Sequence, residues 1–338
     1  MRTDAFDYEL PEERIAQVPA EPRDSARMLV DRGAGAPPEH LRVRDLPRLL
    51  GPGDLVVLND TRVAPARLEM TRATGGRAEL LLLEDRGDGS WEALVRPGRR
   101  LRPGTELCGP LGLRAVVTKD LGHGRRVVKA TAGASLQVAL RRAGKVPLPP
   151  YIAEPLGDPE RYQTVYSRRA ASTAAPTAGL HLTSDLLERT EAAGAELARI
   201  ELVIGIDTFR PISAERVEDH PIHSECYCVA PEVMSRCCSA SRVIAVGTTT
   251  VRALEAAAAT GRLAGRTDLF IRGEYDFRVV DVLLTNFHFP RSSLLVMIEA
   301  FVGPRWRELY ATALADDYRF LSFGDAMLLD RHAPQDRG

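Results

Sequence analysis

Apolar and polar positions follow two different rhythms along the chain. Between residue 68 and about residue 146 the β-prone runs are short and interrupted by glycine. Residues 68–71 lead to Thr74-Gly75-Gly76, residues 78–84 lead to Gly87-Asp88-Gly89, and residues 91–95 follow. Residues 114–118 and 126–130 flank Gly122-His123-Gly124 in the same way. Glycine tolerates the left-handed backbone of a tight turn, so each such pair predicts an antiparallel hairpin. Regularly spaced hairpins predict a small antiparallel barrel, in which closure removes the exposed edges.

After residue 150 the pattern changes to strand, loop and helix. Residues 183–197 show helical spacing behind Thr183 or Ser184 as N-cap, and residues 200–204 read as a buried strand. Residues 242–246 form a second such strand, running through Gly247-Thr248-Thr249-Thr250 into an Ala-rich helix at 251–260. Residues 279–284 form a third, leading to a helix at 292–301. Before the hairpins, residues 54–58 are a further apolar run. The prediction is a discontinuous, layered α/β domain made of residues 1–67 and 151–338, with an antiparallel β-barrel domain inserted at 68–150.

Composition adds limits. With 338 residues, 44% hydrophobic and 27% charged, the chain builds a real core and falls outside the disordered class. Its net charge of −1 excludes a globally basic nucleic-acid binder. The balance is local instead: residues 67–150 carry 16 Lys and Arg against 8 Asp and Glu, and the remainder carries 29 against 38. A basic insertion in an acidic chain is either a solvated barrel or a nucleic-acid contact surface, and Arg99, Arg100 and Arg102 are the densest cluster on it. Five cysteines, an N-terminal stretch without an apolar segment, and no apolar run of about 18–20 residues predict a reduced, cytoplasmic protein without a membrane span.

Candidate chemistry collects where strands end. Asn59, Asp60 and Arg62 follow the 54–58 strand, either as a ligand pocket or as an Asx turn with an ion pair. Ala175-Pro176-Thr177-Ala178-Gly179-Leu180-His181 precedes a helix; its small residues admit a ligand to the backbone, and His181 titrates near neutrality. Thr248, Thr249 and Arg252 open the helix after Val246, without the spacing of a Walker A loop. N-capping accounts for one of its threonines; a ligand accounts for all three. His220, His223 and Glu225, followed by Cys226, Cys228, Cys237 and Cys238, invite a zinc reading, but no pair has the required separation. An acid–base or polar cluster suits them better, so no metal is expected. Asn286 and His288 lie in a fourth strand-to-helix loop.

Taken in order, these segments resemble the S-adenosylmethionine:tRNA ribosyltransferase-isomerase family of queuosine biosynthesis. The resemblance runs from Phe6-Asp7-Tyr8-Glu9-Leu10-Pro11 and Pro22-Arg23-Asp24 through Gly53 to Val63, Pro147 to Ile152 and Arg161 to Tyr166. It continues through Ala175 to Thr183, His220 to Glu225, Ala245 to Arg252, Thr285 to Pro290 and Gly324 to Leu328. It implies S-adenosylmethionine as ribosyl donor and the only cofactor-like molecule. The implied acceptor is the aminomethyl group of 7-aminomethyl-7-deazaguanine in tRNA. A proton next to the sulfonium is removed, the ribose opens, adenine and methionine leave, and epoxyqueuosine results. His181, His223 and Glu225 are then the candidate acid–base residues. Asn59, Asp60, Arg62, Thr177, Thr248, Thr249, Arg252, Asn286 and His288 are the candidate substrate contacts. For the methionyl carboxylate, Arg62, Arg252 or the Thr-rich helix start would serve.

The chain departs from the family pattern at Val203, where a His is usual, at Asp207, where a Gly is usual, at Gly273-Glu274 and at Leu182. These departures leave two other readings: a divergent paralogue with a small-molecule acceptor, and a non-catalytic RNA-binding protein.

Overall fold

A computed structural model describes residues 1–33, 36–133, 135–205 and 211–331. In chain order the strands before the insertion are β1 (Arg27–Asp31), β2 (Glu39–Arg42), β3 (Asp54–Asn59) and β4 (Arg62–Val63). The insertion carries β5 (Arg67–Arg72), β6 (Arg77–Asp85), β7 (Ser90–Arg96), β8 (Glu106–Cys108), β9 (Arg114–Gly122), β10 (Arg125–Thr131) and helix α1 (Leu136–Ala143). After it come β11 (Ala170–Ser172), α2 (Ser184–Ala192), β12 (Glu196–Leu202), β13 (Glu225–Cys228), α3 (Pro231–Ser239), β14 (Arg242–Val246) and α4 (Thr248–Thr260). β15 (Ala264–Thr267), β16 (Val282–Asn286), α5 (Ser293–Val302), α6 (Trp306–Ala315) and β17 (Ala326–Asp330) complete the order. Among the described residues no helix is long and apolar enough to cross a membrane.

Nine strands form one mixed sheet in the order β15-β13-β12-β3-β14-β16-β17-β1-β2. β3 is buried along all six residues, which is why it reads as an unbroken apolar run rather than an alternating one. It pairs in parallel with β12 on one side and β14 on the other, and β14 pairs in parallel with β16. Val246 lies opposite both Leu58 and Leu284, so the carboxyl ends of β3, β14 and β16 finish level with one another. That register brings three of the four polar loops to one edge of the sheet, the side on which open α/β sheets bind ligands.

The insertion is a closed six-stranded antiparallel barrel in the order β10-β7-β6-β5-β8-β9. Along β5, Leu68 and Met70 are buried while Glu69 faces solvent, the period-two pattern of a barrel wall. The short strand β8, which no hairpin signal announces, closes the barrel between β5 and β9.

Two compact units result: residues 1–62, 149–169 and 175–338, and residues 63–148 with 170–174. Residues 170–174 therefore group with the barrel, whereas the sequence reading put them in the α/β domain. The physical reason is a strand pairing, in which Ala64 N–H donates to the Ser172 carbonyl at 2.8 Å.

Three element boundaries differ from expectation for local reasons. The predicted helix at 183–197 ends at Ala192, because Gly194 takes φ +97° and β12 starts at Glu196. α4 begins at Thr248 rather than 251, since Gly247 at φ +88° makes the whole turn by itself. The strand expected at 279–284 begins at Val282. The fully buried Glu255 carboxylate accepts the N–H groups of Arg278, Val279 and Val280 at 2.9–3.0 Å and holds them out of the sheet.

Candidate active site

A cleft of about 630 Å³ opens at the carboxyl edge of β3, β14 and β16. Its wall comes from the 175–178 loop, from Gly247, Thr248 and Thr249, and from Thr285 to Phe289; Tyr151, Ile204, Ser292, Leu294, Leu321 and Ser322 complete it. Among the described lining residues there is no Asp, Glu, Lys or Arg. The cleft is thus a low-dielectric space furnished with hydroxyl, amide and imidazole groups, in which each polar contact counts for more than in water.

One hydrogen-bonded chain organises its back wall. Thr177 Oγ1 donates to Asn286 Oδ1 at 3.0 Å, and Asn286 Nδ2 donates to His181 Nε2 at 3.0 Å. With Nε2 accepting, the His181 ring proton sits on Nδ1. Burial, reinforced by the positive charges of Arg319 and Arg23, depresses the His181 pKa to about 4, so the ring is neutral at physiological pH. His181 is buried behind Asn286 and contributes no atom to the cleft wall; its contact there is through the amide. Gly179 admits this packing, because a Cβ at that position would fall 2.0 Å from the Tyr166 hydroxyl.

Asn59 has a comparable internal role. Fully buried, it donates to the Leu202 carbonyl at 3.0 Å and to Thr249 Oγ1 at 3.2 Å, and it accepts the N–H groups of Leu202 and Thr61. It ties the ends of β3 and β12 to the start of α4. Asp60 lies beside Arg168 at 3.6 Å, and burial raises its pKa. Arg62 is ion-paired with Glu160 and donates to Ser167 Oγ at 3.0 Å. None of these three lines the cleft. His288 does, and its Nε2 lies 3.1 Å from Thr285 Oγ1; burial alone lowers its pKa to about 3.

A second cleft, of about 530 Å³, shares Leu294 with the first and gathers His220, His223, Glu225 and Arg252 with Phe270 and Met297. Here the charges are already committed to each other. The Arg252 guanidinium forms an ion pair with Glu225, and its Nε donates to the Leu269 carbonyl at 3.1 Å. The other carboxylate oxygen of Glu225 accepts Gly205 N–H at 3.0 Å. Among the described residues His220 Nδ1 is buried without a hydrogen-bond partner, and desolvation lowers the His220 pKa.

A family model described as queuosine biosynthesis protein matches residues 3–329. A protein of Rubrobacter xylanophilus named S-adenosylmethionine:tRNA ribosyltransferase-isomerase is 52% identical over 331 residues, covering 97% of this chain and 98% of its own. One of the same name from Anaeromyxobacter is 49% identical over 345 residues, covering 98% and 99%. The chain belongs to this family. The crystal structure of S-adenosylmethionine tRNA ribosyltransferase from Thermotoga maritima is 36% identical, with TM-score 0.56 and coverage of 96% of this chain and 99% of that one.

Against the family pattern, Val203 is half-buried and bonded through its backbone to Cys226, while its neighbours Ile204 and Gly205 line the first and second clefts. Leu182 is fully buried in the core. Gly273 and Glu274 are exposed, and Asp207 lies outside the described residues. Arg99, Arg100 and Arg102 are exposed on the barrel, on and just after the turn that follows β7, and among the described residues their side chains form no ion pair.

Sequence reasoning passed over Tyr151, Thr285 and Ser322 as site residues. Tyr151 Oη and Ser322 Oγ lie 2.6 Å apart across 171 residues of sequence. Only Thr285 had a local signal, as the first residue of the loop that carries Asn286 and His288.

Proposed function

We propose that this chain transfers and isomerises the ribosyl group of S-adenosylmethionine onto the aminomethyl group of 7-aminomethyl-7-deazaguanine in tRNA. The products are epoxyqueuosine in tRNA, adenine and methionine, and the compartment is the cytoplasm, where tRNA is found. The observation that carries this reading is the first cleft, whose wall is built chiefly from the loops that bear the family motifs, at the ligand-binding edge of the sheet.

The chemistry starts with loss of a proton from the carbon beside the sulfonium. His288 is the imidazole that lines the first cleft, and a neutral ring has the lone pair this step needs. We assign proton acceptance to it, in place of His181, which acts through Asn286. Asn286 and Thr177 present oriented polar groups to the nucleoside. The second cleft, with His223 and Glu225, adjoins the first and is assigned to the acceptor side. Arg99, Arg100 and Arg102 are assigned to tRNA phosphates, which suit the planar donor set of arginine.

The test is incubation with S-adenosylmethionine and tRNA bearing the aminomethyl-deazaguanine base, followed by mass spectrometry of the digested nucleosides. Epoxyqueuosine, with one adenine released per modified tRNA, is the expected result. Bound S-adenosylmethionine in a folded protein that yields no epoxyqueuosine would overturn the reading. A small-molecule acceptor predicts adenine release only with that molecule, and a non-catalytic RNA-binding protein predicts none.

A further inference from the structure

The first cleft has no Lys or Arg among its described lining residues, yet its proposed ligand ends in a carboxylate. Two arginines near the sequence motifs are already engaged. Arg62 is held by Glu160 and Ser167 away from the cleft wall, and Arg252 is held by Glu225 and the Leu269 carbonyl in the second cleft.

The start of α4 offers what those arginines do not. Gly247, at φ +88°, turns the chain from β14 directly into a 13-residue helix, and as N-cap residue it has no side chain with which to cap it. Gly247 N–H is used by the Leu284 carbonyl, and the N–H groups of Thr250 and Val251 return to the Gly247 carbonyl. Thr248 and Thr249 occupy the first two helical positions, where a backbone N–H has no acceptor inside the helix. Two other helices beside these loops are closed by their own side chains: Thr183 Oγ1 accepts from Leu186 N–H, and Ser292 Oγ from Leu295 N–H. At α4 the nearby hydroxyls do something else. Thr250 Oγ1 donates back to the Val246 carbonyl at 2.7 Å, and Thr249 Oγ1 receives Asn59.

The second, independent observation is Thr248. Thr248 lines the cleft, is 6% exposed as a residue, and among the described residues its hydroxyl has no hydrogen-bond partner. With no protein partner, that hydroxyl keeps its donor capacity open to an acceptor in the cleft.

We infer that the methionyl carboxylate of S-adenosylmethionine is seated on the N-terminus of α4, accepting the backbone N–H groups of Thr248 and Thr249 and the side-chain hydroxyl of Thr248. This rests on the function proposed above and adds the orientation of the ligand: the amino-acid end lies at Thr248. The helix dipole supplies positive potential at this end of the cleft. Asn59 is then a positioning residue, because its bond to Thr249 Oγ1 fixes the first turn of the helix that makes the seat.

The experiment compares calorimetric affinities for S-adenosylmethionine and its decarboxylated analogue, which keeps the adenosyl group and the sulfonium. It uses the full chain and the variants Thr248→Val and Thr248→Ser. The wild type should prefer S-adenosylmethionine by tenfold or more. Thr248→Val should weaken S-adenosylmethionine by roughly tenfold or more, the scale of one hydrogen bond to a charged group, and change the analogue less than twofold. Thr248→Ser restores the hydroxyl and should behave as wild type. Equal wild-type affinities for the two ligands, or a Thr248→Val loss shared by both, would overturn the seat while leaving the proposed function in place. A folded wild type that binds neither ligand would overturn the function, and the seat with it.

Discussion

The two clefts adjoin at Leu294 but solve the burial of polarity in opposite ways. The first holds no charged side chain among its described residues and relies on neutral groups: an amide oriented by a buried histidine, hydroxyls, and the open end of a helix. The second holds a full ion pair between Glu225 and Arg252. The first therefore has unused hydrogen-bonding capacity and is ready for a ligand. The second is electrically closed, and its charges serve first to hold β13 to α4. An arginine in a motif is thus no guide to an anion site until its partners are known.

The largest expected effect lies in the first cleft. Replacing His288 by Gln removes the imidazole that lines it while keeping a polar group of similar reach. Adenine release in the presence of tRNA should fall roughly 100-fold or more, the lower range of general-base catalysis, with S-adenosylmethionine affinity within about threefold of wild type. A variant that keeps a tenth of wild-type turnover would move the base elsewhere, His223 being the next imidazole to test.

The second cleft should instead answer in stability. Arg252→Met removes the guanidinium that pairs with the Glu225 carboxylate, which is only 6% exposed. The expected cost is about 3–5 kcal/mol, read from urea unfolding, and most of it should return in the double variant Arg252→Met/Glu225→Met. If the single variant costs under about 1 kcal/mol, the pair is not the structural tie described and the contrast between the clefts fails.

Acid separates the neutral histidines from everything else. His181 and His288 have folded pKa values of about 4 and about 3, below the 6.5 of a free imidazole. Between those values the unfolded chain binds more protons than the native one. Stability therefore rises with pH across this window and is complete above about 6.5. Lowering the pH from 7 to 5 should cost on the order of 2 kcal/mol for each histidine, from about 1.4 kcal/mol per pH unit. The difference between wild type and His288→Gln isolates one of them, because the carboxylates that titrate in the same range are common to both. Parallel pH profiles for the two proteins would show that the ring is not held neutral by burial.

How much of this was legible in the sequence depended on how local the cause is. The hairpins of the barrel, the strand at 242–246 and the triple threonine all announce themselves, because glycine turns, apolar runs and capping residues act over a few positions. The helix boundary at 192 was missed where a single glycine, Gly194, outweighed an otherwise helical spacing. The start of β16 was missed because Glu255, more than 20 residues earlier, captures three N–H groups of the preceding segment. The engagement of Arg252 by Glu225, 27 residues away, and the pairing of Tyr151 with Ser322 across 171 residues come from sheet register and loop packing, which no short motif encodes. His181 stood out by its setting among small residues, but only its bond to Asn286 shows that it works through another side chain.

The smallest expected effect concerns salt, and it uses the absence of charge directly. Screening acts strongly on exposed charges and weakly on buried contacts. A carboxylate seated on helix N–H groups, in a cleft with no Asp, Glu, Lys or Arg among its described lining residues, should be nearly indifferent to ionic strength. From 50 to 400 mM salt the affinity for S-adenosylmethionine should change less than about threefold. Binding of tRNA should behave differently, since each phosphate neutralised by an exposed arginine releases counter-ions and adds roughly −0.7 to −0.9 to the log–log slope. Reversing Arg99, Arg100 and Arg102 to Glu should flatten that slope and lower tRNA affinity while leaving S-adenosylmethionine binding as in wild type. A steep salt dependence for S-adenosylmethionine would mean that an ionised group reaches the first cleft after all. An unchanged tRNA slope in the triple variant would place the phosphate contacts on other residues. Measured together, the two slopes separate the buried, neutral recognition of the nucleoside from the exposed, charged recognition assigned to the barrel.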